Sequence, residues 1–335
     1  AMTIDQRNAG AAVTLPDGHY GLDRWKQYQS VASKYSVQQN AGGVTPPAGF
    51  TNYLGVVSLS SYTSLSNDYF TLEQTIEGYN VADLGWGASS AKTVTVSFWV
   101  RSSLTGTFGG SIKNKSSSAD RSYPFSFVIS VANTWEQKTI TVIGDTTGTW
   151  LNTNGLGITL SINLGTGTTY NGTAGSWAGT NYLSATGATS VVATSGATFY
   201  ITGVQLEAGS SGSSFAHEFV GDTLQKCQRY FTVMPNGIFG IGTGTTTISY
   251  SYHLPTHMRS TPTTSLTSTN QRQGDTVAQG IMLTSATSTS GGYSNSSVAT
   301  FSISGTPSAN FTNYRTYMYE GTVGYPAQVH LDAEL

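Results

Sequence analysis

The feature that most constrains this 335-residue chain is a two-residue alternation of apolar and polar side chains, which recurs in short segments. The segment VTVSFWVR (94–101) places Val, Val, Phe and Val on one side and Thr, Ser, Trp and Arg on the other. YFTLEQTI (69–76) and ITLSINL (158–164) repeat this pattern. A period of two is typical of a half-buried strand. Turn-rich pieces such as GDTTGTW (144–150) separate these segments, which predicts an antiparallel β-sandwich or jelly roll.

Composition narrows the classes of function that this chain can have. Charged residues make up only 10% of the sequence, and the formal net charge is −2. Thr, Ser, Gly and Asn supply the polarity instead, which is typical of an extracellular or virion β-protein. The Lys and Arg residues are scattered and form no basic stripe, so we expect no nucleic-acid partner. No apolar run reaches the roughly 20 residues of a membrane span, so we expect no membrane insertion.

The distribution of turn and helix signals divides the chain into three parts. Residues 1–208 read as one large β-domain, and residues 232–335 as a smaller C-terminal β-sandwich domain. Between them, GSSGSS (209–214) has the composition of a linker and FAHEFVGDTLQKCQRYF (215–231) is the one convincing helical segment. We therefore predict a short helical connector at 209–231 in which Phe215, Phe219 and Cys227 bury one side. Cys227 is the single cysteine, so the chain can form no internal disulfide.

Several motifs in order along the chain point to a known class of protein. They are IDQRNAGAAVT (4–14), YGLDRWKQYQ (20–29), QTIEGYNVADLGWG (74–87), FYITGVQLEAG (199–209), CQRYF (227–231), HMRSTPT (257–263) and HLDAEL (330–335). Together they resemble tail-fibre and virion structural proteins of tailed bacteriophages. The first two hundred residues are also similar to the galactose-binding-like jelly rolls that serve as carbohydrate-binding modules.

This resemblance implies a non-catalytic protein on the virion surface, outside the cell, that contacts other virion proteins and binds a host cell-surface glycan. Phage fibres are usually trimers, so it also implies a homotrimer. Phe239, Ile241, Tyr250, Tyr252 and Phe301 in weakly charged strands of the second domain agree with burial against a neighbouring subunit. A closed monomeric sandwich that holds these side chains inside is the alternative.

A first set of candidate glycan-binding residues lies in a long charge-free stretch between Asp145 and Glu207. This stretch contains the loop aromatics Trp150, Tyr170, Trp177 and Tyr182. Aromatic rings stack on the apolar faces of sugars. We select Trp150, Trp177 and Tyr182 as candidates. The alternative is that these rings anchor long loops to the sandwich.

A second set follows from strand alternation. If the apolar residues of 94–101 face the core, Trp99 and Arg101 face away from it, and Glu73 and Asn163 do so on their own strands. One polar sheet face that carried all four would make a sugar platform. The alternatives are a structural ion pair between Glu73 and Arg101, or a face that a neighbouring subunit covers.

The sequence contains little that indicates a catalytic site or a bound cofactor. A glycosidase needs two facing carboxylates, and Glu73 with Glu77 is a poor pair because Glu77 stands at a strand end. No nucleophile motif is present, and Pro255 separates His253 from His257, so we predict neither an enzyme nor a zinc site. Jelly-roll modules of this class can hold a structural calcium ion, but no ligand string is legible and we predict none.

Three functions are therefore in competition. The first is a receptor-binding or tail-fibre protein, the second a purely architectural virion decoration protein, and the third a glycan-degrading tailspike. The third is disfavoured because the short-period repeats of a long β-helix are absent from the sequence.

Overall fold

The computed structural model describes residues 2–115, 119–275, 281–291, 294–320 and 328–335. The chain divides into two compact units, one of Ala1–Val220 with Leu335 and the other of Gly221–Glu334. This division falls inside the connector expected at 209–231. Strands dominate both units, so the predicted all-β class is confirmed.

The first unit is a sandwich of two antiparallel sheets. Its strands are β1 (Tyr20–Leu22), β2 (Trp25–Gln29), β3 (Tyr35–Gln39), β4 (Leu54–Ser58), β5 (Tyr69–Glu77), β6 (Val94–Ser102), β7 (Gly106–Lys113), β8 (Ser122–Ile129), β9 (Glu136–Val142), β10 (Leu156–Thr166), β11 (Asn171–Gly172), β12 (Ser184–Ala185) and β13 (Thr198–Ala208). Short 3-10 turns lie at Ala41–Gly43, Gly78–Asn80, Ala82–Leu84 and Thr168–Tyr170.

The strand order shows how the two sheets are built. The six-stranded sheet runs β1-β2-β5-β10-β7-β8, and the five-stranded sheet runs β3-β4-β13-β6-β9. β11 and β12 form a separate two-residue parallel pair. The predicted jelly-roll type of sandwich is thereby confirmed for this unit.

Alternation along the strands builds the core between the two sheets. Val94, Val96, Phe98 and Val100 of β6 are all 0% exposed and belong to the same apolar cluster as Leu72 of β5. Burying side chains of this size stabilises the fold by roughly 1.5–3 kcal/mol each. The opposite side of each sheet, which points away from this core, is called its outer face below.

The second unit contains the remaining strands and all of the helix except its first residue. Its elements are α1 (Val220–Gln228), β14 (Phe231–Val233), β15 (Phe239–Gly242), β16 (Thr247–His253), β17 (Thr263–Leu266), β18 (Gln271–Asp275), β19 (Ile281–Ser290), β20 (Val298–Pro307), β21 (Thr316–Glu320) and β22 (Val329–Asp332). Three of these strands form a sheet in the order β14-β22-β17, and six close into a barrel in the order β15-β16-β20-β19-β18-β21.

The barrel corrects the expectation of a second sandwich for residues 232–335. Closure pairs both sides of every barrel strand, which protects strands that carry few charges from edge-to-edge association. Tyr250 and Phe301 fill the interior with stacked rings 5.3 Å apart, and Tyr252 packs against the same core. Phe239 and Ile241, by contrast, are 60% and 50% exposed.

The connector is less helical than the sequence suggested. Helix α1 covers nine residues, and Cys227 is buried as expected. Phe219 is 85% exposed, so its expected burial is wrong, whereas Phe215 packs edge-on against Phe50 with ring centroids 5.1 Å apart. Within the described residues, no helix is both long and apolar enough to span a bilayer.

Candidate functional site

The outer face of the six-stranded sheet is a buried layer of polar side chains. Three neighbouring strands, β5, β10 and β7, contribute to it. Their members are Thr71, Glu73, Thr75, Thr159, Ser161, Asn163, Ser111 and Lys113, each at most 2% exposed. The register places Ser161 opposite Glu73 and Thr159 opposite Lys113, so these side chains share one face. A polar layer this deeply buried requires hydrogen-bond partners.

One ion pair crosses this layer. Lys113 Nζ donates to Glu73 Oε1 at 2.6 Å, and the two side chains are 0% and 2% exposed. Burial lowers the pKa of the Lys113 ammonium below its ordinary value, and the negative charge of Glu73 acts in the opposite direction. Removal of either side chain would take a charge partner away from a group that is buried in this layer, which is strongly destabilising.

Five hydroxyl groups on this face have no hydrogen-bond partner among the described residues. They are Thr71 Oγ1, Thr75 Oγ1, Thr159 Oγ1, Ser111 Oγ and Ser161 Oγ. A buried hydroxyl without a partner costs about 1–3 kcal/mol. Buried polar groups that lack a protein partner are typically served by ordered water or by a bound ligand.

A pocket of about 160 Å³ opens on one end of this face. Tyr28, Tyr69 and Tyr170 form its aromatic wall, and Thr71 and Glu73 line it from β5. One water molecule needs only about 10–15 Å³ of such space, so the pocket has room for a small polar ligand.

Loop residues complete the pocket. Asp17 lines it from the loop before β1, and Asn181 and Leu183 line it from the segment before β12. Asp17 Oδ1 accepts a hydrogen bond from the Gln29 backbone N–H at 2.7 Å. Its Oδ2 accepts a weaker one, at 3.4 Å, from the hydroxyl of Tyr69. The carboxylate is therefore held at the pocket without being saturated, since it can accept further hydrogen bonds.

The position of Tyr170 depends on a close backbone approach at Gly167. A Cβ atom there would lie 1.8 Å from the carbonyl oxygen of Leu65, so a glycine is required. The 3-10 turn that follows brings Tyr170 edge-on to Tyr69, with ring centroids 5.6 Å apart and planes at 87°. This packing of the two rings sets the aromatic wall.

The surroundings of Tyr69 in the pocket shift the pKa of its phenol. Burial, and secondarily the negative charge of Asp17, raises the pKa of the Tyr69 phenol above its ordinary value of 10.0. The phenol is therefore a neutral donor and acceptor at physiological pH. In the part of the chain that the structure describes, no three His, Cys, Asp or Glu side chains are grouped to hold a metal ion.

The four strand residues predicted to share one face lie on two different sheets. Glu73 and Asn163 are on the outer face of the six-stranded sheet, and Glu73 lines the pocket. Trp99 and Arg101 are on β6 of the five-stranded sheet, so the predicted four-residue platform is wrong. Alternation gives the side of a strand but not the sheet to which that strand belongs.

The suggested ion pair between Glu73 and Arg101 is wrong as well. The partner of Glu73 is Lys113. The guanidinium of Arg101 instead donates to the backbone carbonyl of Asn133, although its Nε has no partner among the described residues.

The loop tryptophans form a cluster that anchors chain segments. Trp86 lies 4.6 Å from Trp150 and 5.4 Å from Trp177, measured between ring centroids, and all contacts are edge-to-face. The indole N–H of Trp177 donates to the Ile143 carbonyl at 2.8 Å. That of Trp86 donates to the Lys92 carbonyl at 2.7 Å. This arrangement matches the anchoring alternative.

The third loop candidate, Tyr182, is used in packing. Its ring lies so close to Gly172 that a Cβ atom there would come within 2.3 Å of it. The Tyr182 backbone N–H also donates to the hydroxyl of Ser122 at 3.2 Å. These contacts hold the segment that carries Asn181 and Leu183 over the sheet.

Sequence reasoning missed most of the pocket. Tyr69 and Thr71 share the side of Glu73 in the alternating run YFTLEQTI, so the pattern could have grouped these three. Tyr170 is one of the loop aromatics of the charge-free stretch, but it is not among the candidates selected from the sequence. Asp17 and Asn181 come from distant loops, and no local pattern identifies them.

Comparisons with known proteins give only distant similarities. No protein family and no curated protein matches the sequence. The enzymatically active domain of tailspike protein 4 of bacteriophage CBA120 matches at 13% identity and a TM-score of 0.33, over 62% of this chain and 22% of that one. The family 11 carbohydrate-binding module of the cellulase Lic26A-Cel5E of Clostridium thermocellum matches at 14% identity and a TM-score of 0.31, over 62% of this chain and 100% of that one. TmCBM61 in complex with β-1,4-galactotriose matches at 12% identity and a TM-score of 0.29, over 57% of this chain and 92% of that one. Scores this low carry no information on what this chain binds.

Proposed function

We propose that the pocket on the outer face of the six-stranded sheet binds a saccharide. The observation that carries this proposal is the combination of three tyrosine side chains with carboxylate, hydroxyl and amide groups around one cavity. Tyrosine rings cover the apolar faces of a sugar ring. Carboxylate and amide oxygens accept hydrogen bonds from its hydroxyl groups, and the neighbouring hydroxyls donate to its oxygens.

The proposed role is binding without catalysis. A glycosidase needs one carboxylic acid that donates a proton and one free carboxylate. Glu73 is already engaged by the buried Lys113 ammonium, and Asp17 by itself does not make up such a pair. Release of reducing ends from a bound polysaccharide, lost in Glu73→Gln, would identify a tailspike hydrolase instead.

We further propose that the protein acts on a phage virion, as a tail fibre or receptor-binding protein that recognises a host-surface glycan. The sequence resemblance to tail-fibre and virion proteins supports this placement, and so does the low charge of the chain. A purely architectural decoration protein is the alternative. It would have no use for a pocket with an aromatic wall.

The proposed assembly is a homotrimer. The exposed side chains of Phe239 and Ile241 on β15 support contact with a second copy, because both would leave water. Light scattering on the full chain tests this: a single species near 35.3 kDa at all concentrations would contradict it.

A glycan array with the full-length protein tests saccharide binding. Wild type and Tyr170→Ala are compared first, because Tyr170 belongs to the loop side of the pocket. We expect Tyr170→Ala to weaken binding about tenfold. An aromatic contact contributes on the order of 1 kcal/mol of binding free energy in addition to the free energy gained by burying its surface. Titration calorimetry on the strongest ligand measures this ratio.

Trp150→Ala is the matched control. It also removes one half-buried loop aromatic, but from the tryptophan cluster and not from the pocket. Unchanged affinity in Tyr170→Ala together with lost affinity in Trp150→Ala would move the site to that cluster. Absence of any glycan signal for wild type would favour the architectural alternative.

A further inference from the structure

The pocket carries an excess of negative charge. Among its lining side chains in the described part of the chain, Asp17 and Glu73 are acidic and none is basic. Glu73 is neutralised by Lys113, whereas Asp17 forms no ion pair with any residue that the structure describes. Lys26 on β2 places its Nζ 5.2 Å from the ring centroid of Tyr28, but Lys26 does not line the cavity.

A second observation, independent of the acidic charge, points to a ligand in this pocket. Thr71 lines the cavity, is 0% exposed, and has a hydroxyl with no partner among the described residues. A ligand group that reached it would satisfy a buried polar atom, and the same ligand would meet the Asp17 carboxylate.

We propose that Asp17 makes the pocket selective by charge, so that it prefers saccharides with a protonated amine to neutral ones and binds those with a carboxylate or other anionic group more weakly than either. This inference rests on the proposed saccharide binding at the same site. It goes beyond that proposal because it names the class of sugar and the residue that sets the preference.

The physical basis is the different cost of placing each charge next to Asp17. A protonated amine can donate hydrogen bonds to the carboxylate and offsets its charge. A ligand carboxylate would be repelled by the like charge of Asp17. Since the pocket opens to water, each unit of ligand charge should change affinity only about threefold.

The test uses gluco- and galacto-configured oligosaccharides, each in three forms: neutral, with a free 2-amino group, and as the uronate. These are bound to full-length wild type and to Asp17→Asn on an array and by calorimetry at an ionic strength of about 0.01 M. For wild type we expect affinity to fall in the order amino, neutral, uronate. For Asp17→Asn we expect the three forms to bind within about twofold of one another.

Asp83→Asn is the matched control, because it removes one negative charge from an exposed turn that does not line the pocket. It should leave the order unchanged. At about 1 M salt, where the Debye length is roughly 3 Å, the preference of the wild type should shrink as well.

The outcomes separate this inference from the proposal beneath it. Equal binding of the three forms to wild type would overturn the charge selectivity and leave saccharide binding intact. An order that persists in Asp17→Asn would assign the selectivity to another residue. No binding of any form to wild type would overturn both.

Discussion

The two sheets of the first unit differ in how the buried threonine hydroxyls of their outer faces are hydrogen-bonded. On the five-stranded sheet, the buried Thr202 donates to the Asn52 carbonyl at 2.7 Å and Thr95 donates to the Gly209 carbonyl at 2.8 Å. On the six-stranded sheet, the equally buried Thr71 and Thr159 have no partner among the described residues.

Aromatic packing follows the same division. Over the five-stranded sheet, Tyr53 packs 5.1 Å from Tyr200 and 5.5 Å from Trp135, so the chain covers this face with its own rings. On the six-stranded sheet, the rings of Tyr69 and Tyr170 border a cavity. The comparison teaches that the polarity of an outer face does not by itself indicate a binding site; the site is proposed where buried hydroxyl groups lack partners among the described residues.

The linker at 209–214 belongs to the covered face. The hydroxyl of Ser213 donates to Glu207 on β13 at 2.7 Å, and the Ser210 carbonyl accepts from Thr141 at 3.2 Å. A segment with the composition of a flexible tether therefore serves as part of the cover of the five-stranded sheet.

The largest expected difference between the two faces is in stability. Glu73→Ala would remove an ion-pair partner from the fully buried Lys113 ammonium and should lower the free energy of unfolding by about 3–5 kcal/mol. Its counterpart Glu207→Ala, on the five-stranded sheet, should cost less than about 1 kcal/mol because water can replace the lost contacts. All six tryptophans lie in the first unit, so urea titration followed by tryptophan fluorescence reports on that unit. Equal costs for the two substitutions would contradict the buried pairing.

The second prediction separates packing from binding. Trp99→Ala removes a half-buried ring beside Gly203 and Phe50 on the five-stranded sheet and should cost about 2–3 kcal/mol of stability. Glycan affinity should not change, because this residue is on the other sheet from the pocket. Fluorescence-monitored unfolding and array binding measure the two effects. Loss of glycan binding in a folded Trp99→Ala protein would instead indicate that Trp99 belongs to a glycan-binding face on the five-stranded sheet.

The third prediction uses two isosteric substitutions of threonines that are both 0% exposed. Thr202→Val breaks a hydrogen bond and should destabilise the unit by about 1 kcal/mol. Thr159→Val removes a hydroxyl that has no partner and should be neutral or stabilising by a similar amount. The difference in urea midpoints gives the answer. A cost for Thr159→Val as large as that for Thr202→Val would mean that ordered water already serves this hydroxyl.

The smallest expected effect concerns pH. The pKa of Tyr69 is raised in the folded state, first by burial and then by Asp17, so the unfolded chain ionises first on the alkaline side. The contribution of this phenol is fully present below pH 10 and is lost as pH rises through 10 towards the folded pKa. Wild type should therefore lose stability relative to Tyr69→Phe over that window, and Asp17→Asn should reduce the loss. A pH-independent difference between wild type and Tyr69→Phe would show that the phenol is not perturbed.

The local patterns of the sequence were sufficient to predict the strands and to predict which side of each strand is buried. Alternation in 69–76, 94–101 and 158–164 identified core and outer residues correctly, because the pleat of a strand alternates whatever its neighbours are. The closed barrel was not predictable in this way, since closure depends on which strands pair at the two ends of the sheet.

Only the tertiary structure decided where the candidate site lies. Glu73 and Trp99 both point away from the core, and their sequence contexts are alike, yet pairing of β5 with β10 and of β6 with β13 puts them on different sheets. Asp17, Tyr69 and Tyr170 come together because strand order and loop packing join segments that are far apart in the chain. Period and composition act over a few residues, whereas a pocket is formed by contacts between distant ones, and those contacts exist only once the sheets have assembled.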